Sequence, residues 1–238
     1  MNLKTHIPNL ITLINLLCGC IALVFAGEAN FEMVFFFVGL GIFFDFFDGL
    51  FARLFQVSSP LGLQLDSLAD MVTSGVVPGF VLFKMLSNSV NSDPSLIYLP
   101  YLGFIITLGS CYRLANFNID TRQSHSFIGL PTPANALFIL SLPLILKNSD
   151  SILVLELLIN PWVLLFVAVL SAFILNAEIP LFALKIKKFN LKDNALQLFF
   201  LLISILLLVY LQFLGVALTI VFYVLLSIII NKFKANKS

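Results

Sequence analysis

Long apolar runs, interrupted by short polar or glycine- and proline-bearing stretches, recur along the whole chain. A membrane-spanning helix needs roughly 20 apolar residues. Fitted to the runs, that length predicts eight helices, near 8–27, 31–55, 62–86, 96–117, 132–148, 155–177, 195–213 and 215–232. The breaks carry recognisable punctuation: Gly27 to Asn30, Ser58 to Pro60, Asn88 to Pro94, Asn118 to Ser126, Lys147 to Asp150 and Lys185 to Asn194. The break at Leu214 and Gly215 is the weakest, and a seven-span reading with one long tilted helix stays open. The pattern predicts an all-α, polytopic transmembrane bundle. With no useful internal repeat and no low-complexity linker, residues 1–238 read as a single membrane domain.

Composition strengthens that picture. Of 238 residues, 60% are hydrophobic and 11% charged, which excludes an ordinary soluble domain. The net charge of +1 gives a nucleic-acid partner no electrostatic support. With eight spans, Lys4, Arg53, Arg113, Arg122, Lys185, Lys187, Lys188, Lys192, Lys232, Lys234 and Lys237 fall on one side, and Lys84 and Lys147 on the other. Basic residues collect on the cytoplasmic side of membrane proteins. Both termini are therefore expected in the cytoplasm, with the first apolar segment retained as a span. Lys185 to Lys192 reads either as a loop obeying that rule or as a helix lying on anionic lipid. Cys18, Cys20 and Cys111 have no ligand spacing and read as small apolar residues. His6 and His125 read as solvated loop residues, and the 26 phenylalanines as lipid- or helix-facing bulk.

Four aspartates break the apolar pattern: Asp45, Asp48, Asp66 and Asp70, spaced Asp-x2-Asp-Gly-x2-Ala-Arg-x8-Gly-x3-Asp-x3-Asp. An ionised carboxylate at membrane depth is costly unless it is paired or faces a watery cavity. Residues three or four apart share a helix face, so the second and third helices each present a carboxylate pair, expected toward the cytoplasmic third. Oxygen ligands suit hard divalent cations such as Mg²⁺, Mn²⁺ or Ca²⁺, and no interleaved His or Cys suggests zinc. Two ions about 4 Å apart would form a clamp for phosphoryl chemistry. Gly49, Ala52 and Gly62 either make room for a substrate or serve helix packing. Arg53 either holds phosphate or anchors the helix end.

This signature resembles that of the CDP-alcohol phosphotransferase family, with every signature position filled. The resemblance implies that Asp45, Asp48, Asp66 and Asp70 hold one or two divalent ions, Mg²⁺ or Mn²⁺, and that Asp70 is also the general base on an acceptor hydroxyl. It further implies that CDP-lipid binds between the helices against Asp48, Gly49, Ala52, Arg53 and Gly62. A second cluster, Tyr112 to Asn118 and Phe127 to Ala134, is similar to the phosphatidylserine synthase branch, with its Arg-Leu-Ala-x-Phe-Asn and Gly-Leu-Pro-x-Pro-Ala runs. Pro8-Asn9-x2-Thr12-x2-Asn15 is similar to the start of that branch. The branch implies transfer of a phosphatidyl group from CDP-diacylglycerol to L-serine. Arg113 would take the serine carboxylate, Asn118 or a carbonyl near Pro131 its ammonium, with Gly129 and Pro131 shaping the site. Where many relatives carry a second basic residue, this chain has Asn116. Read without the resemblance, Arg113 is a helix-end charge and Pro131 and Pro133 form a turn. Glycerol 3-phosphate or inositol phosphate as acceptor would call for a denser basic pocket than Arg113 and Arg122 supply. A cation or proton transporter would need acids continuing the path, whereas Glu28 and Glu32 lie at the outer edge. Relatives commonly pair through membrane helices, which implies a homodimer in a lipid membrane.

Overall fold

The computed structural model describes residues 6–57, 59–90, 94–120, 128–182 and 194–235. Helix α1 spans His6–Gly27 and α2 spans Phe31–Leu54, the second opened by Asn30, whose side-chain oxygen accepts from Met33 N. Helix α3, Pro60–Asp70, starts on Ser59, whose hydroxyl accepts from Gly62 N at 2.9 Å, with Pro60 at its first position. It runs through a π-helical turn, Met71–Val76, into α4, Val77–Val90. A 3₁₀ stretch, Leu99–Phe104, leads into α5, Ile105–Ile119. Then come α6 (Thr132–Asn148), α7 (Ile152–Ile159), α8 (Pro161–Asn176) and α9 (Ala195–Ala235).

Helical order follows the hydropathy pattern, with two corrections. The run expected as one span at 155–177 is broken: α7 and α8 meet at 73°. Asn160 is extended, as a residue before proline prefers, and its side chain accepts from Trp162 N to open α8. The last apolar run forms α9, Ala195–Ala235, inside which Gln212, at φ 47° and ψ −117°, turns the chain back on itself. Phe200 consequently stacks on Phe222, with ring centroids 5.9 Å apart. The expected break at Leu214 and Gly215 falls two residues early because Gly215 serves contact, not the turn; a Cβ there would strike the Leu207 carbonyl. By length and apolarity alone, four to five spans are identified. Among the described residues α1, α2, the composite α3–α4 and α9 qualify, with α7 and α8 a fifth if a bent pair counts. Helices α5 and α6, at 15 and 17 residues, are too short to qualify.

Apolar side chains fill the interior away from the aspartates. Leu82, Leu86, Ile106, Ile139 and Leu164 form one buried cluster, and Ala22, Val34, Val38, Val77, Val81 and Leu140 another. At the aspartate-free end, Lys147 meets Glu32 at 2.8 Å and Lys84 donates to the Gly27 carbonyl. Lys4, Arg122, His125, Phe127, Lys185 to Lys192 and Lys237 lie outside the described residues.

Candidate active site

Three helices meet closely around the aspartates because small residues let them. A Cβ on Gly41 of α2 would lie 2.8 Å from Asn15 Oδ1 and 2.9 Å from Thr73 Cγ2; one on Gly19 of α1 would lie 2.5 Å from Thr73 Oγ1. Thr73 belongs to the π turn directly after Asp70, and its hydroxyl donates to the Asn15 carbonyl at 3.2 Å. π turns recur at functional sites because they re-aim the side chains beside them. Here the turn seats the end of α3 against α1.

Asp45 and Asp48 from α2 and Asp66 from α3 each bring a carboxylate oxygen within 4.8 Å of the others. Asp70 stands outside this triad, buried beside it. Helix α1 supplies the donors: Thr12 Oγ1 donates to Asp48 Oδ2 at 2.5 Å, and Asn15 Nδ2 to Asp70 Oδ1 at 3.1 Å and Asp45 Oδ1 at 3.4 Å. Neutral donors cannot cancel this much negative charge, and no described Lys or Arg forms an ion pair with any of the four. Clustered oxygen donors that lack a counter-charge fit a hard divalent cation.

A cleft of about 700 Å³ opens from the triad along α1, α2 and α3. Asp48 and Asp66 line its inner part, Gly49, Ala52 and Gly62 its walls, and His6, Asn9, Gln56 and Ser59 its outer part. Gly49 faces open space, with Arg53 Nη2 4.0 Å from where its Cβ would stand, whereas a Cβ on Gly62 would lie 3.1 Å from Asn9 Oδ1. Arg53 is exposed and is not a lining residue; its Nε donates back to the Gly49 carbonyl at 2.9 Å.

The second cluster is tied into the fold by hydrogen bonds of its own. Arg113 is buried, with Nε donating to the Leu130 carbonyl at 2.6 Å and Nη2 to that of Gly129 at 3.3 Å. Two of its five N–H groups therefore hold the segment leading into α6. Gly129, at φ 76°, sits where a Cβ would strike the Leu175 carbonyl, and Leu130 N donates to Ile174 O. Pro131 precedes α6 and accepts from Asn135 N at 3.1 Å. Asn118 Nδ2 donates to Ser67 Oγ at 2.9 Å, tying the end of α5 to the residue after Asp66, and its Oδ1 is buried without a partner. Thr12, Asn15, Thr73 and Ser67 carry roles that the sequence reading did not assign. Thr12 and Asn15, three apart in an apolar run, were the available signal, since polar residues on one face of a span need partners.

Buried and half-buried carboxylates, a donor helix beside them and a glycine-walled cleft at one end of an apolar bundle define a membrane-embedded enzyme site whose acidic triad could hold a metal ion. The chain matches the family described as CDP-alcohol phosphatidyltransferase over residues 5–174, and it belongs to that family. It is 39% identical over 132 residues to a Bacillus subtilis protein named CDP-diacylglycerol–serine O-phosphatidyltransferase, covering 54% of this chain and 70% of the relative. Proteins of the same name from Helicobacter pylori and Methanocaldococcus jannaschii are 33% and 34% identical, over 56% of this chain and 54% and 58% of theirs. Apart from the Bacillus protein, the match therefore spans little more than half the length of these relatives.

Proposed function

We propose that the chain transfers a phosphatidyl group from CDP-diacylglycerol to the hydroxyl of L-serine, giving phosphatidylserine and CMP. The observation that carries the chemistry is the meeting of three carboxylates, two of which, Asp48 and Asp66, line the α1–α2–α3 cleft. The names of the relatives support serine as acceptor. In the transfer the serine oxygen forms a bond to the lipid-side phosphorus, the bond from that phosphorus to the CMP oxygen breaks, and the hydroxyl proton passes to Asp70. Asn15 holds Asp70 by one carboxylate oxygen and leaves the other for that proton. A divalent cation, Mg²⁺ or Mn²⁺, held by Asp45, Asp48 and Asp66, would neutralise diphosphate charge and favour departure of CMP. Gly49, Ala52 and Gly62 leave room for the nucleotide, and Arg53 reaches the phosphates by swinging from the Gly49 carbonyl. Arg113, joined to the segment leading into α6, receives the serine carboxylate, and Asn118, joined to Ser67, borders the acceptor.

In the membrane, we read residues 1–238 as one domain of eight crossings, with both termini and the cleft on the cytoplasmic side, assembled as a homodimer. The excess of basic residues that the eight-span reading puts on one side of the membrane supports that orientation. A membrane-impermeant thiol reagent outside intact cells is expected to label a cysteine placed at Asn88 but not one placed at Gln56. The reverse pattern would invert the topology.

The activity is tested with purified protein, CDP-diacylglycerol, Mn²⁺ or Mg²⁺, and L-serine. CMP release that depends on serine and vanishes in Asp70→Asn is expected. Release with glycerol 3-phosphate but not with serine would overturn the acceptor assignment and leave the carboxylate site standing.

A further inference from the structure

Four polar atoms lie buried without a hydrogen-bond partner in the interior beyond Asp70, on three separate elements. They are Ser74 Oγ in the π turn, Ser110 Oγ on α5, and both Nδ2 and Oδ1 of Asn135 on α6. All three residues are fully buried. A buried polar group without a partner is costly, and lipid cannot supply one. Packing does not call for these side chains, because alanine or leucine would fill such space at lower cost.

The three face one interior. A Cβ on Gly75 would lie 3.2 Å from Ser110 Cβ, so the π turn rests on α5 at this level. Ile106, one turn from Ser110, and Ile139, one turn from Asn135, belong to the same apolar cluster. Val77, three residues after Ser74, packs in a cluster with Ala136, the neighbour of Asn135. Ser74, Ser110 and Asn135 thus form a polar layer on top of the apolar core. About one turn along the chain from these three stand Asp70 at the end of α3, Arg113 on α5 and Pro131 just before α6.

We propose that this layer is the inner wall of the acceptor site and takes the ammonium group of a small amino alcohol, an inference that rests on the transfer reading above. An ammonium has three N–H donors. The layer offers three oxygen acceptors, Ser74 Oγ, Ser110 Oγ and Asn135 Oδ1. Asn135 Nδ2 is left to donate to the carboxylate on the side of Arg113, and the acceptor hydroxyl stays at Asp70. A phosphorylated alcohol would set a dianion against those oxygens, so the layer selects against it.

The test uses the purified full chain with CDP-diacylglycerol and Mn²⁺, and follows CMP release with L-serine or with glycerate, which replaces the ammonium by a hydroxyl. Ser74→Ala, Ser110→Ala and Asn135→Ala are each expected to raise the KM for serine about tenfold, as loss of a hydrogen bond to a charged group does. The KM for CDP-diacylglycerol should not move, and the preference for serine over glycerate should fall. Tm should hold or rise in the two serine variants, because an unpartnered hydroxyl is removed. Those two carry the test if Asn135→Ala does not fold. Folded Ser74→Ala and Ser110→Ala with unchanged serine KM and unchanged preference would overturn the inference and assign the layer to bound water. Absence of serine turnover in the unsubstituted protein would instead overturn the transfer reading itself.

Discussion

Asn15 is the neutral side chain on which two acids converge: its amide reaches both Asp45 and Asp70, from different helices. Removing it leaves two carboxylates side by side with no shared donor and lets them drift apart. Asn15→Ala is therefore expected to raise the Mn²⁺ concentration for half-maximal activity about 10- to 100-fold, as loss of a ligand-orienting group does. A metal activation curve at saturating CDP-diacylglycerol measures it, and an unchanged midpoint would remove Asn15 from the positioning role. At this scale the aspartates were legible, because four acids in an apolar run at helical spacing admit few explanations. Their donors were not. Thr12 lies 36 residues from Asp48 and Asn15 lies 55 from Asp70, and only the folded approach of α1 brings them together. Arg113 was legible as a site candidate, but its two bonds to carbonyls of the segment before α6 were not, because only the fold brings residues 113 and 129–130 together.

Among elements, the crossing of α1, α2 and the π turn sets how closely the acids meet. Gly41 marks a tight point on α2, where any side chain meets Asn15 and Thr73, while Gly39, two positions earlier, faces nothing within 4 Å. Gly41→Val is expected to cost about 1–3 kcal/mol through overpacking and to abolish turnover by prising α2 from α1. Gly39→Val should leave both nearly intact, and thermal unfolding in detergent with a CMP-release assay compares the pair. If Gly41→Val keeps wild-type Tm and activity, the close crossing does not govern the site. Hydropathy located the helices well, including α6 from Thr132 to Asn148. It could not see internal breaks inside continuous apolar sequence. The bend at Asn160 and Pro161 is hidden from hydropathy because the residues flanking it are mostly apolar, and Gln212 turns the chain where a glycine three residues later looked the better candidate.

At the scale of the whole molecule, four acids at one end of an apolar bundle act against the fold until a cation joins them. Ligands that bind the folded state alone raise its stability by mass action, about 2.7 kcal/mol at a hundredfold excess over Kd. For a chain of this size that corresponds to a Tm rise of about 5–10 °C on adding Mn²⁺. Chelation should reverse the shift and end turnover. Asp66→Asn should raise the metal-free Tm, because it relieves like-charge crowding, and should blunt the response to Mn²⁺. A metal-free Tm that falls in Asp66→Asn would show that the acids are stabilised by the protein alone.

The donors for these acids reside on the helix that precedes them in the chain. During synthesis α1 reaches the membrane before α2, so Thr12 and Asn15 are in place when Asp48 and Asp45 arrive. An aspartate entering the bilayer as part of a lone helix meets a barrier of about 2.5–3.5 kcal/mol on insertion scales. Paired with α1 as a hairpin, the second helix carries its acids in already hydrogen-bonded. The same contacts that orient the site thus ease its biogenesis, and a change at Thr12 or Asn15 would be felt first as reduced membrane insertion, before any catalytic step takes place.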